Sequence, residues 1–445
     1  MKIVAVLLLN VMACFAQIRT DDLVVQPLNP PPDMGSAIGQ NRVFTDARFN
    51  NNRTLRATDG KTAPVANASL QTADSGEPNL WASDARHFLV HMPSGKQQVL
   101  AFDHAKFQVT NTPLRVSQQA GFAWTNSQTI FELQGTQLHV RVASADWTVL
   151  SDTLLFDFKT CLGSIFNLTW TGQFLPKRDD QTFVVAFSNA GGQGSGHHLA
   201  AFRVGKGCRI YDTAAGTVTG SWGTTGTIDD GIKPLADRFT LHDAGGGQNE
   251  HVALITPSGH QPGGASGCLA GNCFVNSPYD WEIETTHVRI CGGFNCDGHS
   301  AKGYQHEATG KRYTLHDYED PSQPLTPLLL KNSFCSDMHG SWHNSTRTDS
   351  NPLFAVTTDV PSLAVYPCAA YNEVISVAAD GSGVRSRHGQ TLNTGTSKYF
   401  IIQNAIGAVD QSGHYVLFTS DWMGTLGKEK DGITPRGDVF ILEIK

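Results

Sequence analysis

Ile130-Phe131-Glu132-Leu133-Gln134-Gly135-Thr136-Gln137-Leu138-His139-Val140-Arg141-Val142 is two short apolar runs hinged on a glycine. Leu138, Val140 and Val142 alternate with polar residues, the period of a strand with one buried face. Gly135 supplies the backbone freedom of a tight turn, so the stretch predicts an antiparallel hairpin. The same unit recurs along the chain. Phe88 to Met92 leads through Pro93-Ser94-Gly95 into Gln97 to Phe102. Further copies run over Tyr304 to Leu315, Val374 to Val384 and Ala405 to Ser420, turning at Thr309-Gly310, Asp380-Gly381 and Ser412-Gly413. No stretch of comparable length carries apolar residues at the i, i+3, i+4, i+7 spacing of an amphipathic helix.

Composition agrees with this pattern. Among 445 residues there are 44 glycines and 20 prolines, punctuation for many turns, and only 16% are charged, which disfavours long exposed helices. Hairpins repeated over most of a chain must hide their edges. Radial repetition of four-stranded blades does so while letting the chain grow. A pair of β-sandwiches would need a clear central linker, and a β-helix a shorter and stricter repeat than this sequence contains. The expected fold is therefore all-β: a single β-propeller of roughly six to eight blades over residues 41–445, closed by the two ends of the chain.

The segment before it reads differently. Residues 17–40 contain Pro27, Pro30, Pro31 and Pro32 and no sustained periodicity, the composition of an extended leader or linker. Met1-Lys2 is followed by an apolar run from Ile3 to Ala13, broken only by Asn10, and then by Cys14-Phe15-Ala16-Gln17. A short basic start, an apolar core too short to span a bilayer and small residues at its end predict a secretory signal over residues 1–16. Val11-Met12-Ala13-Cys14 also resembles a bacterial lipobox, which would place a lipid anchor on Cys14. No later segment approaches the roughly 18 uninterrupted apolar residues of a membrane helix. The expected location is exported: periplasmic, extracellular or tethered to the outer surface.

Cysteine usage fits export. Of nine cysteines, Cys14 is removed or lipidated, and the remaining set is Cys161, Cys208, Cys268, Cys273, Cys291, Cys296, Cys335 and Cys368. An even set in an oxidising compartment favours disulfides, whose pairing spacing does not determine. Cys268/Cys273 and Cys291/Cys296 are each C-x4-C and form the alternative, a four-thiolate zinc site. The net charge of −7, with no basic cluster, argues against nucleic acid as a partner.

The C-terminal region adds a resemblance. Asp410-Gln411-Ser412-Gly413-His414-Tyr415-Val416-Leu417-Phe418-Thr419-Ser420-Asp421-Trp422 is followed, after a polar loop, by Thr434-Pro435-Arg436-Gly437-Asp438-Val439-Phe440-Ile441-Leu442-Glu443-Ile444. The two segments resemble a blade of the TolB-type propellers, except that the turn reads Ser-Gly-His in place of Asp-Gly-Lys. Leu80 to Val90 is a looser version of the same unit. The resemblance implies an exported propeller, and residues 335–445 are similar to the closing part of such proteins.

Most of the residues that could carry chemistry lie in the second half. Asp297, His299 and His306 are followed by Asp337, His339, Trp342 and His343. Four residues separate His339 from His343, so on a helix they would share a face and could hold a metal with a third ligand from another blade. Loops at the mouth of a propeller channel could add His299 or His388. The cluster is distantly similar to that of oligogalacturonate lyases, propellers that bind a divalent metal through channel histidines. That resemblance implies one metal ion held by His299, His339 and His343. Such an ion would acidify the proton beside a uronic-acid carboxylate and help a base remove it. Asp337, Trp342, His306 and His388 are the accompanying ligand-binding candidates.

Other signals are weaker. With 17 histidines some clustering is expected, and loop histidines commonly bond only to backbone. Gly191 to Gly196 lacks the Lys-Ser/Thr of a phosphate loop and reads as a hairpin loop. No G-x-S-x-G elbow occurs. The acids Asp179/Asp180, Asp229/Asp230 and Asp317/Glu319/Asp320 are candidate glycosidase carboxylates, although adjacent acids usually mark solvated turns. Trp81, Trp124, Trp170, Trp222 and Trp422 are candidate sugar platforms, although most tryptophans of a β protein are core. The expected function is binding of a glycan or protein partner on one face, with no reaction assignable. The alternative is a metal-dependent lyase acting on acidic sugars.

Overall fold

The computed structural model describes residues 19–20, 42–62, 68–72, 79–162, 170–176, 180–188, 197–212, 217–221, 226–227, 239–243, 251–255, 274–276, 282–284, 288–291, 311–317, 326–330, 337–341, 343–344, 351–358, 372–378, 384–394 and 407–445. The signal segment, His299, His306 and Trp342 lie outside these, as do Cys268, Cys273, Cys296, Cys335 and Cys368.

The described chain is mostly strand with almost no helix. β1 (Arg19–Thr20) precedes a hairpin of β2 (Arg42–Asp46) and β3 (Asn52–Arg56). A three-stranded sheet follows, β4 (His87–Met92), β5 (Lys96–Asp103) and β6 (Gln108–Ser117). Next comes a four-stranded sheet of β7 (Ala120–Phe122), β8 (Thr129–Gln134), β9 (Gln137–Val142) and β10 (Thr153–Asp157). After the short helix α1 (Lys159–Leu162), a larger sheet runs through β11 (Trp170–Pro176), β12 (Thr182–Ser188), β13 (His197–Arg203), β14 (Gly207–Asp212), β15 (Thr217–Gly220) and β16 (Gly226–Thr227). β17 (Phe239–Asp243), β18 (His251–Ile255) and β19 (Phe274–Asn276) form the next sheet. It is followed by one of β20 (Glu282–Glu284), β21 (Val288–Cys291), β22 (Lys311–Asp317) and β23 (Thr326–Leu330). The sixth consists of β24 (Asp337–Ser341), β25 (Leu353–Thr358), β26 (Glu373–Val377) and β27 (Arg385–Gln390), with β1 added outside β27. Finally β28 (Gly407–Val409), β29 (Tyr415–Ser420) and β30 (Asp438–Glu443) pair with the opening hairpin in the order β2-β3-β30-β29-β28.

This last, closing sheet joins the two ends of the chain, as expected. Thr54, Leu55 and Arg56 stand opposite Leu442, Ile441 and Phe440. Side chains lock the seam. Arg53 holds Glu443 through two bonds of 2.6 Å, and the fully buried Arg56 donates to Asp438 at 2.9 Å.

The hairpins form where turn chemistry predicts them. Gly95 at φ 70° and Gly135 at φ 59° occupy the left-handed region that a side chain resists. The Ser412-Gly413 hairpin pairs Gly407 with Phe418, and the strands flanking Asp380-Gly381 pair as β26 and β27. Tyr304 to Gly310 lies outside the described residues.

Among the described residues several neighbouring sheets pack face to face, and the two-residue strand period divides a strand between two cores. On β30, Val439 and Ile441 enter a core shared with Trp81, Phe88 and Leu100. Phe440 and Leu442 on the same strand enter another with Phe354, Val374 and Trp422. On β8, Ile130 joins the first core while Phe131 and Leu133 join a third with Phe183 and Phe202. Burial on both faces is why these strands read as near-continuous apolar runs. Cys161, on α1, is disulfide-bonded to Cys208, on β14, so part of the expected oxidative cross-linking is realised.

Leading strands of several sheets lie beside one another. β7 neighbours β11, β11 neighbours β17, β17 neighbours β20, and β24 neighbours β28. The segment 79–82 fills the place between β28 and β7. Asn79 exchanges bonds with Phe122, its Nδ2 donating to the carbonyl at 2.9 Å and its own carbonyl accepting from the amide at 2.8 Å. Trp81 Nε1 donates to Ala408 O at 3.1 Å. Among the described residues no pairing merges the sheets into one barrel.

Candidate functional site

Four of the turns that join a first to a second strand, those after β7, β11, β24 and β28, converge. Trp124, in the turn after β7, is their meeting point. Asp180, in the turn before β12, accepts from Trp124 N at 2.8 Å, Thr125 N at 2.9 Å and Thr125 Oγ1 at 2.6 Å. The indole Nε1 donates to Pro176 O at 2.9 Å. Gln411, in the β28–β29 turn, donates through Nε2 to Trp124 O at 3.0 Å. The Trp124 ring meets His343, in the turn after β24, edge-on at 5.1 Å between centroids. The sheet of Trp124 and that of His343 are not adjacent in the order of the sheets, so the contact joins turns of distant sheets.

Each turn is held for a local reason. Asp180 sits at φ 52°, a left-handed position that Asp tolerates when its carboxylate bonds nearby backbone. Asp410 accepts from Ser412 N, His414 N and Tyr415 N, which fixes the Gln411 turn. Asn344 Nδ2 donates to Pro352 O and Asn351 Nδ2 to Asn344 O, closing the loop beside His343. Ser341 Oγ accepts from Val409 N at 3.1 Å and ties the end of β24 to β28.

The candidate residues fall in distinct places. His343 is buried at this convergence. His339 lies on β24 opposite Val356, a strand rather than a helix, and His343 stands beyond the strand's end in a turn. The helical reasoning for their spacing therefore does not apply. Asp337, opposite Thr358, begins β24 at its other end, roughly 13 Å of strand from Ser341. His388 is three strands further out, on β27. There it lies 2.8 Å from Ser376 Oγ and against Phe354, and burial depresses its pKa to about 4. The structure thus brings His343 to the turn cluster and leaves His388 in the interior between sheets. Among the described residues, no group of three His, Cys, Asp or Glu side chains could hold a metal ion.

The tryptophans separate as clearly. Trp81 and Trp422 are fully buried, whereas Trp124 is half-buried at the convergence. The side chains of Trp170 and Trp222 lie outside the described residues. Asp180, one of the candidate acids, has both oxygens engaged by the Trp124 turn. Gln411 was not among the sequence candidates. Its signal is its position in the turn of the 410–422 segment, one residue after the Asp that organises it.

No family model matches the sequence, and no curated protein matches it. Solved structures do, and they define the class of fold: the chain is mostly β with almost no helix, and its structural neighbours are β-propellers. Among them is an oligogalacturonate lyase from Vibrio parahaemolyticus, at 8% identity and a TM-score of 0.52, covering 92% of this chain and 98% of that one. The β-propeller domain of the Trilobed protease from Pyrococcus furiosus, described as having open velcro topology, matches at 8% identity and TM-score 0.38, covering 85% and 96%. The Dos1 propeller matches at 8% and 0.37, covering 82% and 77%.

Proposed function

We propose that this chain is an exported, seven-bladed β-propeller that binds a glycan at the axial end where Trp124 and His343 meet. The observation that carries the reading is Trp124. It is the half-buried tryptophan among the described candidates, and it is fixed by turns from several sheets at the centre of the assembly. A rigid indole with one part open to solvent is the side chain that stacks on a sugar ring, and the polar turn residues around it suit hydroxyl or carboxylate groups. Seven separate sheets among the described residues, in the order of the chain, support the blade count. The oligogalacturonate lyase among the structural neighbours points to acidic oligosaccharides as the first ligands to try. Export rests on the residue 1–16 signal, with a lipid anchor at Cys14 as its tethered form, and the Cys161–Cys208 disulfide accords with an oxidising compartment.

The test is titration with oligogalacturonates and neutral oligosaccharides, followed by tryptophan fluorescence and calorimetry. Binding that Trp124→Ala weakens roughly fivefold or more is expected, since stacking contributes on the order of 1 kcal/mol or above. Saturable binding of equal strength in the variant would sink the assignment of the site.

A second reading is a metal-dependent lyase with His299, His339 and His343 as ligands, favoured by the place of His343 at the axial end. Elemental analysis and the ultraviolet absorbance of unsaturated products test it. No stoichiometric divalent metal, together with no change on His339→Ala, removes it.

A further inference from the structure

Three outermost strands, β10, β6 and β2, look like edges. β10 begins with exposed residues, Leu154 among them at 52%. β6 alternates buried and exposed positions along its length. β2 leaves Val43 44% exposed. β27 is different. Though fourth from the leading strand of its sheet, it leaves Arg385, Arg387, His388 and Gln390 at 3–6% exposure.

Two neighbours lie along its outer flank. At residues 388–390 the closing sheet leans in: Asn52 Nδ2 donates to His388 O at 2.9 Å, and Arg48 donates to Gln390 Oε1 at 2.9 Å. At residues 386–387 the neighbour is the start of the leader. Arg19 pairs antiparallel opposite Arg387, and Thr20 opposite Ser386. β27 is therefore a strand with both its flanks occupied, the inner by β26 and the outer by a segment nearly the whole chain away in sequence.

We propose that the outer edge of β27 is a strand-acceptor site, occupied by the chain's own Arg19–Thr20, which guards it against edge-to-edge pairing with a second copy of the protein. An uncovered edge presents a row of unmatched N–H and C=O groups and takes up any extended strand of fitting register. Antiparallel addition is the geometry already present, and a second copy's β27 would meet the same edge about a two-fold axis, a self-complementary arrangement. The guard is short, so it is readily displaced unless the rest of the leader tethers it nearby, where a covalent link gives it a high effective concentration.

The experiment uses the full exported protein and a double variant, Arg19→Pro with Thr20→Pro, since proline lacks the N–H that the ladder needs. Hydrogen exchange is read at residues 385–387, with residues 416–418 of the closing sheet as an internal reference, and mass in solution is read by light scattering over a concentration series. The expected result is exchange at 385–387 faster by roughly tenfold or more in the variant, unchanged exchange at the reference, and dimers that grow with concentration. Unchanged exchange at 385–387 overturns the acceptor site. Faster exchange with a mass that stays monomeric at every concentration overturns the guarding role.

Discussion

His388 offers a sharp test of how the interior is built. Its ring is buried, sits 2.8 Å from Ser376 Oγ, and has a pKa lowered from 6.5 to about 4 because burial penalises the charged form. The unfolded chain binds a proton on this residue below pH 6.5 that the folded chain does not take up until about pH 4. Stability from this group is thus fully present above pH 6.5 and is lost as the pH falls through that window. A displacement of this size corresponds to about 3 kcal/mol across the window, at about 1.4 kcal/mol per pH unit. The perturbation is His388→Gln, which keeps a polar partner for Ser376 and removes the titration. Urea unfolding of both proteins at steps from pH 7 to pH 4 reads the difference. At pH 7 the variant should be weaker by about 1 kcal/mol through a poorer hydrogen bond, and that deficit should shrink and reverse toward pH 4. His87, whose pKa burial also lowers to about 4, titrates in both proteins and cancels in the comparison. Parallel pH profiles for the two proteins would refute the argument and place His388 in contact with water.

Three further perturbations probe the frame. A Cβ on Gly407 would lie 2.2 Å from Val356 Cγ2 and 2.7 Å from Leu417 O, so Gly407→Ala should cost about 1–3 kcal/mol or more in chemical denaturation, and a neutral result would mean that β28 stands clear of β25. The Cys161–Cys208 bridge closes a sequence separation of 47, and the double Cys→Ser variant should lose about 4 kcal/mol on the chain-entropy account, read as a lowered midpoint that reductant no longer affects. Asp438→Ala strands Arg56 and Arg436 in the interior without their shared carboxylate, a loss of about 3–5 kcal/mol in unfolding experiments.

The sequence makes some of these features legible and hides others for a physical reason. The hairpins at Gly95, Gly135 and Gly413 could be read because a tight turn and its flanking strands are local, written within a dozen residues. That the two chain ends share a sheet follows from the need to hide edges. The register that sets Leu55 against Ile441 does not, since pairing across nearly four hundred positions leaves no local trace. The partner of Cys161 was hidden for the same reason. His339 and His343 suggested a helical face by spacing alone, yet the intervening Gly340-Ser341 ends a strand that hydrogen-bonds to β25. Trp124 was one of five tryptophans open to the same reading, and only the convergence of turns from distant sheets sets it apart from Trp81 and Trp422.

The closing sheet has a consequence for biogenesis. β30 supplies the partner that β3 requires, and it follows β3 by nearly four hundred residues of synthesis. Until then the opening hairpin has a bare flank, and the buried arginine at position 56 has no counter-ion from position 438. The nascent polypeptide is thus held short of this locked seam until the whole stretch between the two strands has been made.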